Sequence, residues 1–194
     1  MGHFLTYTSL LNDTTVIFGV MPVLSLIKRL SRPRAFLLLL GAYVVVFGLI
    51  LYHLGQLQQI SGHGILDFEQ GYSPARVNEV LGSYGTDGMA IVRRIQLLDL
   101  INPALYSLIL AVLTHWVWRG GGGRYLPLVA LLGGVGDYAE NVTLFLMLRA
   151  YPDIPPALVE TSSALSLAKT GLLILSVLPL VIGLVIWLRT SRKG

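Results

Sequence analysis

Hydrophobic residues in this chain fall in long blocks broken by short polar, glycine- or proline-bearing stretches. Residues 35–54, 97–118, 125–148 and 163–188 form four such blocks. At ~1.5 Å of rise per helical residue, each is long enough to cross the ~30 Å hydrocarbon layer of a bilayer. The pattern predicts an all-α protein, an up-down bundle of four transmembrane helices over residues 35–194. A fifth apolar segment, residues 4–27, is interrupted by Asn12 and Asp13 and broken by Pro22. It is expected to be an additional N-terminal hydrophobic or interfacial helix, joined to the bundle by a basic linker ending at residue 34. Residues 55–96 are the one sizeable polar insertion and read as an amphipathic lid. Within it Ser73-Pro74 has the form of an N-cap followed by proline at the first helical position, opening a helix to about Gly82. Gly85-Thr86-Asp87-Gly88 reads as a turn, with Asp87 capping a helix that continues through Arg93 and Arg94 into the second block.

Charge orients this arrangement. Lys28, Arg29, Arg32, Arg34, Arg119, Arg124, Arg189, Arg192 and Lys193 all fall on one side of four alternating spans, and no carboxylate accompanies them. Seven carboxylates lie on the other side with Arg76, Arg93, Arg94 and Arg149. The positive-inside rule makes the first side cytoplasmic, which places the chain in the cell (inner) membrane as a multi-pass protein with a cytoplasmic C-terminus. Trp116, Trp118, Tyr125 and Trp187 sit where an interfacial aromatic belt would. Composition agrees: 12% of residues are charged and 54% hydrophobic, with a mean hydropathy of +0.71. The net charge of +4 belongs to span ends, so it marks contacts with membrane lipids and not with nucleic acid. There is no cysteine; disulfides, thiolate metal sites and thiol-based membrane oxidoreductases are excluded. The glycine run at 120–123 lacks the lysine and strand–helix setting of a phosphate loop. Asn141-Val142-Thr143 matches a glycosylation sequon but lies at membrane depth, out of reach of the transferase.

The chemistry concentrates in the third block. Asp137 lies twelve residues from Tyr125 and eleven from Leu148, near the middle of the span. Glu140 and Asn141 follow at three and four residues, on the same helical face. An ionised carboxyl at that depth costs about 2.5–3.5 kcal/mol, so these groups must point into the bundle. Counted from the outer ends of their helices, Glu140 and Lys169 differ in depth by about 3 Å, close enough to pair. Asp137, Glu140 and Lys169 are therefore the candidate catalytic residues. Asn141, Asp99, His53 and Tyr138 are candidate ligand contacts along a polar entry from the outer face. A metal site built from His53, Asp99, Asp137 and Glu140 would need ligands several turns apart in depth, so no metal is expected. The sequence implies no particular cofactor. Ala130, Gly133, Gly134 and Gly136 allow a neighbouring helix to approach closely.

The outer Gly-Tyr-Ser-Pro helix, Leu-Asp99 opening a span and Asp-Tyr-x-Glu-Asn in the next together resemble a family of small, uncharacterised four-helix bacterial integral membrane proteins. The resemblance covers Asp67 to about Lys169 and implies a fold but no activity. The layout is also similar to membrane isomerases that act on lipophilic rings, with no residue aligned. Two functions follow as expectations. One is an outward-opening intramembrane acidic site for a small lipophilic or proton-coupled ligand. The other is an accessory subunit or assembly factor, whose buried charges fix packing against a membrane-protein partner or a second copy of the chain.

Overall fold

In a computed structural model the described residues are 20–119 and 123–191, helical in most of their length and without a strand. Residues 20–30 form α1, so the described end of the N-terminal hydrophobic segment is helical; residues 4–19 of that segment lie outside the described residues. There follow α2 (Pro33–Ser61), a 3₁₀ turn (Leu66–Phe68), α3 (Pro74–Ser83), α4 (Gly85–Asp99), α5 (Asn102–Val117), α6 (Leu126–Val129), α7 (Leu132–Ala150) and α8 (Pro156–Ser191). Three stretches are long and apolar enough to cross a membrane: Pro33–Ser61, Gly85–Val117 and Pro156–Arg189. Helix α7 has the length, but Asp137, Glu140 and Arg149 in its 19 residues keep it out of that group.

Two hydrophobic clusters hold these elements. The larger joins Ile50 and Leu57 of α2 to Val77, Val80, Tyr84 and Ile95, with Met147 of α7 and Val159 of α8. Residues 62–84 are therefore a packed cap rather than a loose lid. Helix α3 begins as its sequence predicts, the Ser73 side chain accepting the Arg76 backbone N–H at 3.3 Å. The expected four-residue turn contracts to Tyr84: Gly85, at φ +58°, turns the chain and is already the first residue of α4. Gly88 fits against Tyr84, where an added Cβ would stand 2.9 Å from the Tyr84 Cβ. The smaller cluster seats Ile27 of α1 against Ala111, Val112 and Ala130.

The helix expected to run through Arg93 and Arg94 into the second block is present, and with it the apolar stretch extends over Gly85–Val117. Helices α4 and α5 make one rod, interrupted at residues 100–101. Pro103 is the cause, because it has no N–H to give the Asp99 carbonyl four residues earlier. The glycines of α7 do what their size allows. Gly133 and Gly136 lie against α8, with an added Cβ 2.9 Å from Leu173 and Leu172 respectively. Gly134 lies against α5, 2.9 Å from the Pro103 carbonyl oxygen by the same construction.

Candidate functional site

The interruption of the α4–α5 rod leaves carbonyls without helical partners, and α7 supplies donors. Asn141 Nδ2 donates to the Asp99 carbonyl at 3.3 Å and to the Asp99 carboxylate at 2.6 Å. The Tyr138 hydroxyl donates to the Leu100 carbonyl at 2.9 Å. Asn102 Nδ2 reaches the other Asp99 oxygen at 3.0 Å. In an apolar setting an unsatisfied carbonyl costs several kcal/mol, so these side chains have a structural task before any other.

At the same level of α7, on the adjacent face of the helix, lies an ion cluster. Lys169 of α8 sits among three carboxylates: Asp67 Oδ1 at 2.8 Å, Asp137 Oδ1 at 3.5 Å, and Glu140, the closest of the three. Its ammonium also approaches the Asp67 carbonyl at 3.3 Å. Tyr106 of α5 donates to the second Asp137 oxygen at 3.0 Å. Glu140 is wholly buried and Asp137 only 6% exposed. Glu140 Oε1 has no hydrogen-bond partner among the described residues. Beside the cluster, Ser162 Oγ lies 2.6 Å from the Tyr72 hydroxyl and 2.8 Å from Thr143 Oγ1. Ser166 donates to the Glu69 carbonyl at 2.9 Å. Burial pushes the Tyr72 hydroxyl up to about 12, so it stays neutral across the physiological range.

Asp67, Asp137 and Glu140 each offer an oxygen within 4.8 Å of the others, the spacing of a three-carboxylate metal site. The Lys169 ammonium already forms ion pairs with all three. It stands where a metal ion would and supplies one positive charge in its place.

Two approaches lead to this cluster. From the cap side, a cavity of about 40 Å³ is walled by Leu66, Leu81, Tyr84, Ile95 and Met147, with Asp67, Asp99 and Asn141 among its lining residues. That volume admits one or a few waters. From the flank of α2 and α5, a groove of about 410 Å³ is lined by Leu40, Tyr43, Phe47, Tyr106, Leu173 and Asp137. Tyr43 and Phe47 stack in its wall with ring centroids 5.4 Å apart and planes 12° from parallel. A second flank groove of about 480 Å³, between α4 and α7, has Arg93, Leu97, Tyr138, Asn141 and Phe145 in its lining.

The structure brings together Asp137, Glu140 and Lys169 directly, and sets Tyr138 and Asn141 on the adjacent face of α7, where they meet Leu100 and Asp99. His53 is elsewhere: on α2 its Nδ1 is 2.7 Å from the Leu49 carbonyl of its own helix, and its ring meets Tyr52 edge-on. Sequence reasoning missed Asp67 and Tyr106. Asp67 lies in an irregular connection where no periodicity assigns depth; the only signal was an acid among apolar Ile65, Leu66 and Phe68. Tyr106 lies four residues after Asn102 on one helical face, a spacing that could have placed it near the acids. No protein-family model, curated protein or solved structure matches this chain.

Proposed function

We propose that this chain is a multi-pass membrane protein in which a lipophilic ligand, entering sideways from the bilayer, exchanges a proton with Asp137. Three helices satisfy the length and apolarity of a membrane crossing. Helix α7 is the fourth crossing, admissible because its acids face α5, α8 and the cap instead of lipid. The basic ends then lie in the cytoplasm and the cap faces outward, in a cell (inner) membrane.

Charge counting supports the chemistry. Asp67, Asp99, Asp137 and Glu140 are four carboxyls against one ammonium, Lys169, in a mostly buried space. Several uncompensated charges in low dielectric are prohibitively costly, so the cluster retains protons. Lys169 bridges Asp67 at the cap-side cavity and Asp137 at the flank groove. A proton given by Asp137 to a ligand in the groove is replaced from the outer side through Asp67 and water in the cavity. Tyr106, hydrogen-bonded to Asp137, holds the carboxyl oriented. The single observation carrying this reading is that Asp137 belongs both to the ion cluster and to the wall of an apolar groove.

The rival function, an accessory subunit, draws on a different fact: Lys169 ties α7, α8 and the cap together as a structural staple would. Infrared spectroscopy of the protein in lipid nanodiscs separates the two. The proton-exchange reading expects a protonated-carboxyl band that shifts in D₂O, loses a component in Asp137→Asn, and weakens when a long-chain tertiary amine is added. A band indifferent to both the substitution and the amine sinks it and leaves the staple.

A further inference from the structure

At the opposite end of the molecule from the cap, the fold gathers cations from segments far apart in sequence. Ile27, 1% exposed, anchors α1 against α5 and the residues after α6. Trp116 Nε1 donates to the Ser31 carbonyl at 3.2 Å, and the Phe36 ring packs on Trp116 at 4.5 Å. These contacts bring Lys28, Arg29 and Arg32 alongside Arg119, all four lining one cleft of about 850 Å³ with His115 and Trp116. No carboxylate lines that cleft, and among the described residues none of these four cations is in a salt bridge. Like charges held together without a counter-ion repel; a bound anion removes that cost.

An adjoining cleft of about 450 Å³ shares Lys28, His115 and Arg119 with the first and adds Arg124. Apart from Ser25, which also lines the first cleft, and Gly123, its remaining wall is apolar, with Met21, Leu24, Ile27, Trp118 and Pro127. The Arg119 guanidinium lies 5.9 Å from the centre of the Trp116 ring, which positions it while leaving its N–H groups free for an oxyanion. A charged cleft continuous with an apolar one suits an amphiphile: a phosphate in the first and the start of an acyl chain in the second.

We infer that this end of the bundle is a specific binding site for the phosphate of an anionic phospholipid, formed by Lys28, Arg29, Arg32 and Arg119. The site is separate from the Asp137 cluster and does not depend on its chemistry. Topological charge alone requires only that these residues lie on one side of the membrane. A site requires that removing them matters more than removing equal charge elsewhere on that side.

The experiment compares wild type, the Lys28→Gln/Arg119→Gln double variant, and the Arg34→Gln/Arg189→Gln double variant, whose residues lie outside both clefts. Each is titrated with phosphatidylglycerol in phosphatidylcholine nanodiscs, and separately with inorganic phosphate in phosphatidylcholine alone. Melting temperature is the readout. Wild type is expected to be stabilised saturably by phosphatidylglycerol. The cleft variant should need roughly 25-fold more, from about fivefold per cation, with its melting temperature in pure phosphatidylcholine retained because both side chains are exposed. The Arg34→Gln/Arg189→Gln variant should respond as wild type does. Equal stabilisation by inorganic phosphate would keep the anion site but overturn the lipid as its occupant. Equal weakening in both double variants, or no saturable response, would overturn the site.

Discussion

Lys169 is the residue on which most of the polar interior depends. Removing the ammonium alone leaves Asp67, Asp137 and Glu140 facing one another with nothing between them. Lys169→Met is expected to lower stability by about 3–5 kcal/mol, the usual cost of orphaning a buried charge. Asp137→Asn should cost much less, because Tyr106 can still donate to the amide oxygen and the excess of acid falls. Combining Lys169→Met with Glu140→Gln should recover part of the loss. Unfolding in detergent measures all three, and a double variant less stable than Lys169→Met alone would contradict the charge-balance account. The Glu140–Lys169 pair was legible in the sequence because both lie on regular helices, where residue counting converts directly to depth. Asp67 was not, since a connection that doubles back has no such ruler. His53 was assigned by depth alone, and depth does not say which way a side chain faces around the helix.

At the level of elements, the same glycine can be indispensable or dispensable according to what stands opposite. An added Cβ at Gly134 meets Ser107 and the backbone carbonyl of Pro103, and a carbonyl on a packed helix cannot swing aside. Gly134→Ala should therefore destabilise by about 1–3 kcal/mol. At Gly48, on α2, nothing lies within 4 Å; Gly48→Ala should be neutral or stabilising by up to about 1 kcal/mol. Thermal unfolding of the two single variants decides it, and similar costs at both positions would remove the close-packing role of Gly134. The apolar blocks announced most of these elements, and the small residues of α7 announced its tight packing. The helix running through Arg93 and Arg94 into the second block was expected; its interruption at residues 100–101 was not. Pro103 marked a helix start equally well in either case; the donors that make the interruption tolerable, Asn141 and Tyr138, come from α7, some forty residues away.

For the whole molecule, the proposed topology puts the cap and the basic clefts on opposite sides of the membrane. The chain contains no cysteine, so single substitutions report without background. Thr86→Cys should react with a membrane-impermeant maleimide on intact cells, and Arg34→Cys only after permeabilisation. The reverse pattern would invert the orientation and put the proton-supplying cavity in the cytoplasm. From the sequence, residues 55–96 read as an amphipathic lid with a surface helix opening at Pro74. In the structure the cap supplies Ile65, Leu66, Tyr72, Val77, Val80, Leu81 and Tyr84 to the larger hydrophobic cluster, where they pack with α2, α4, α7 and α8.

The placement of Lys169 also bears on how such a protein is made. Helix α7 leaves the ribosome before α8, and the one cation in α7, Arg149, lies nine residues beyond Glu140 over the Phe145 ring, not beside the two acids. Alone, each would oppose partitioning into lipid by about 2.5–3.5 kcal/mol. Under the proposed topology, α7 gains a stable place in the bilayer only when Lys169 arrives beside it, so the last two helices enter as a hairpin in a single concerted insertion.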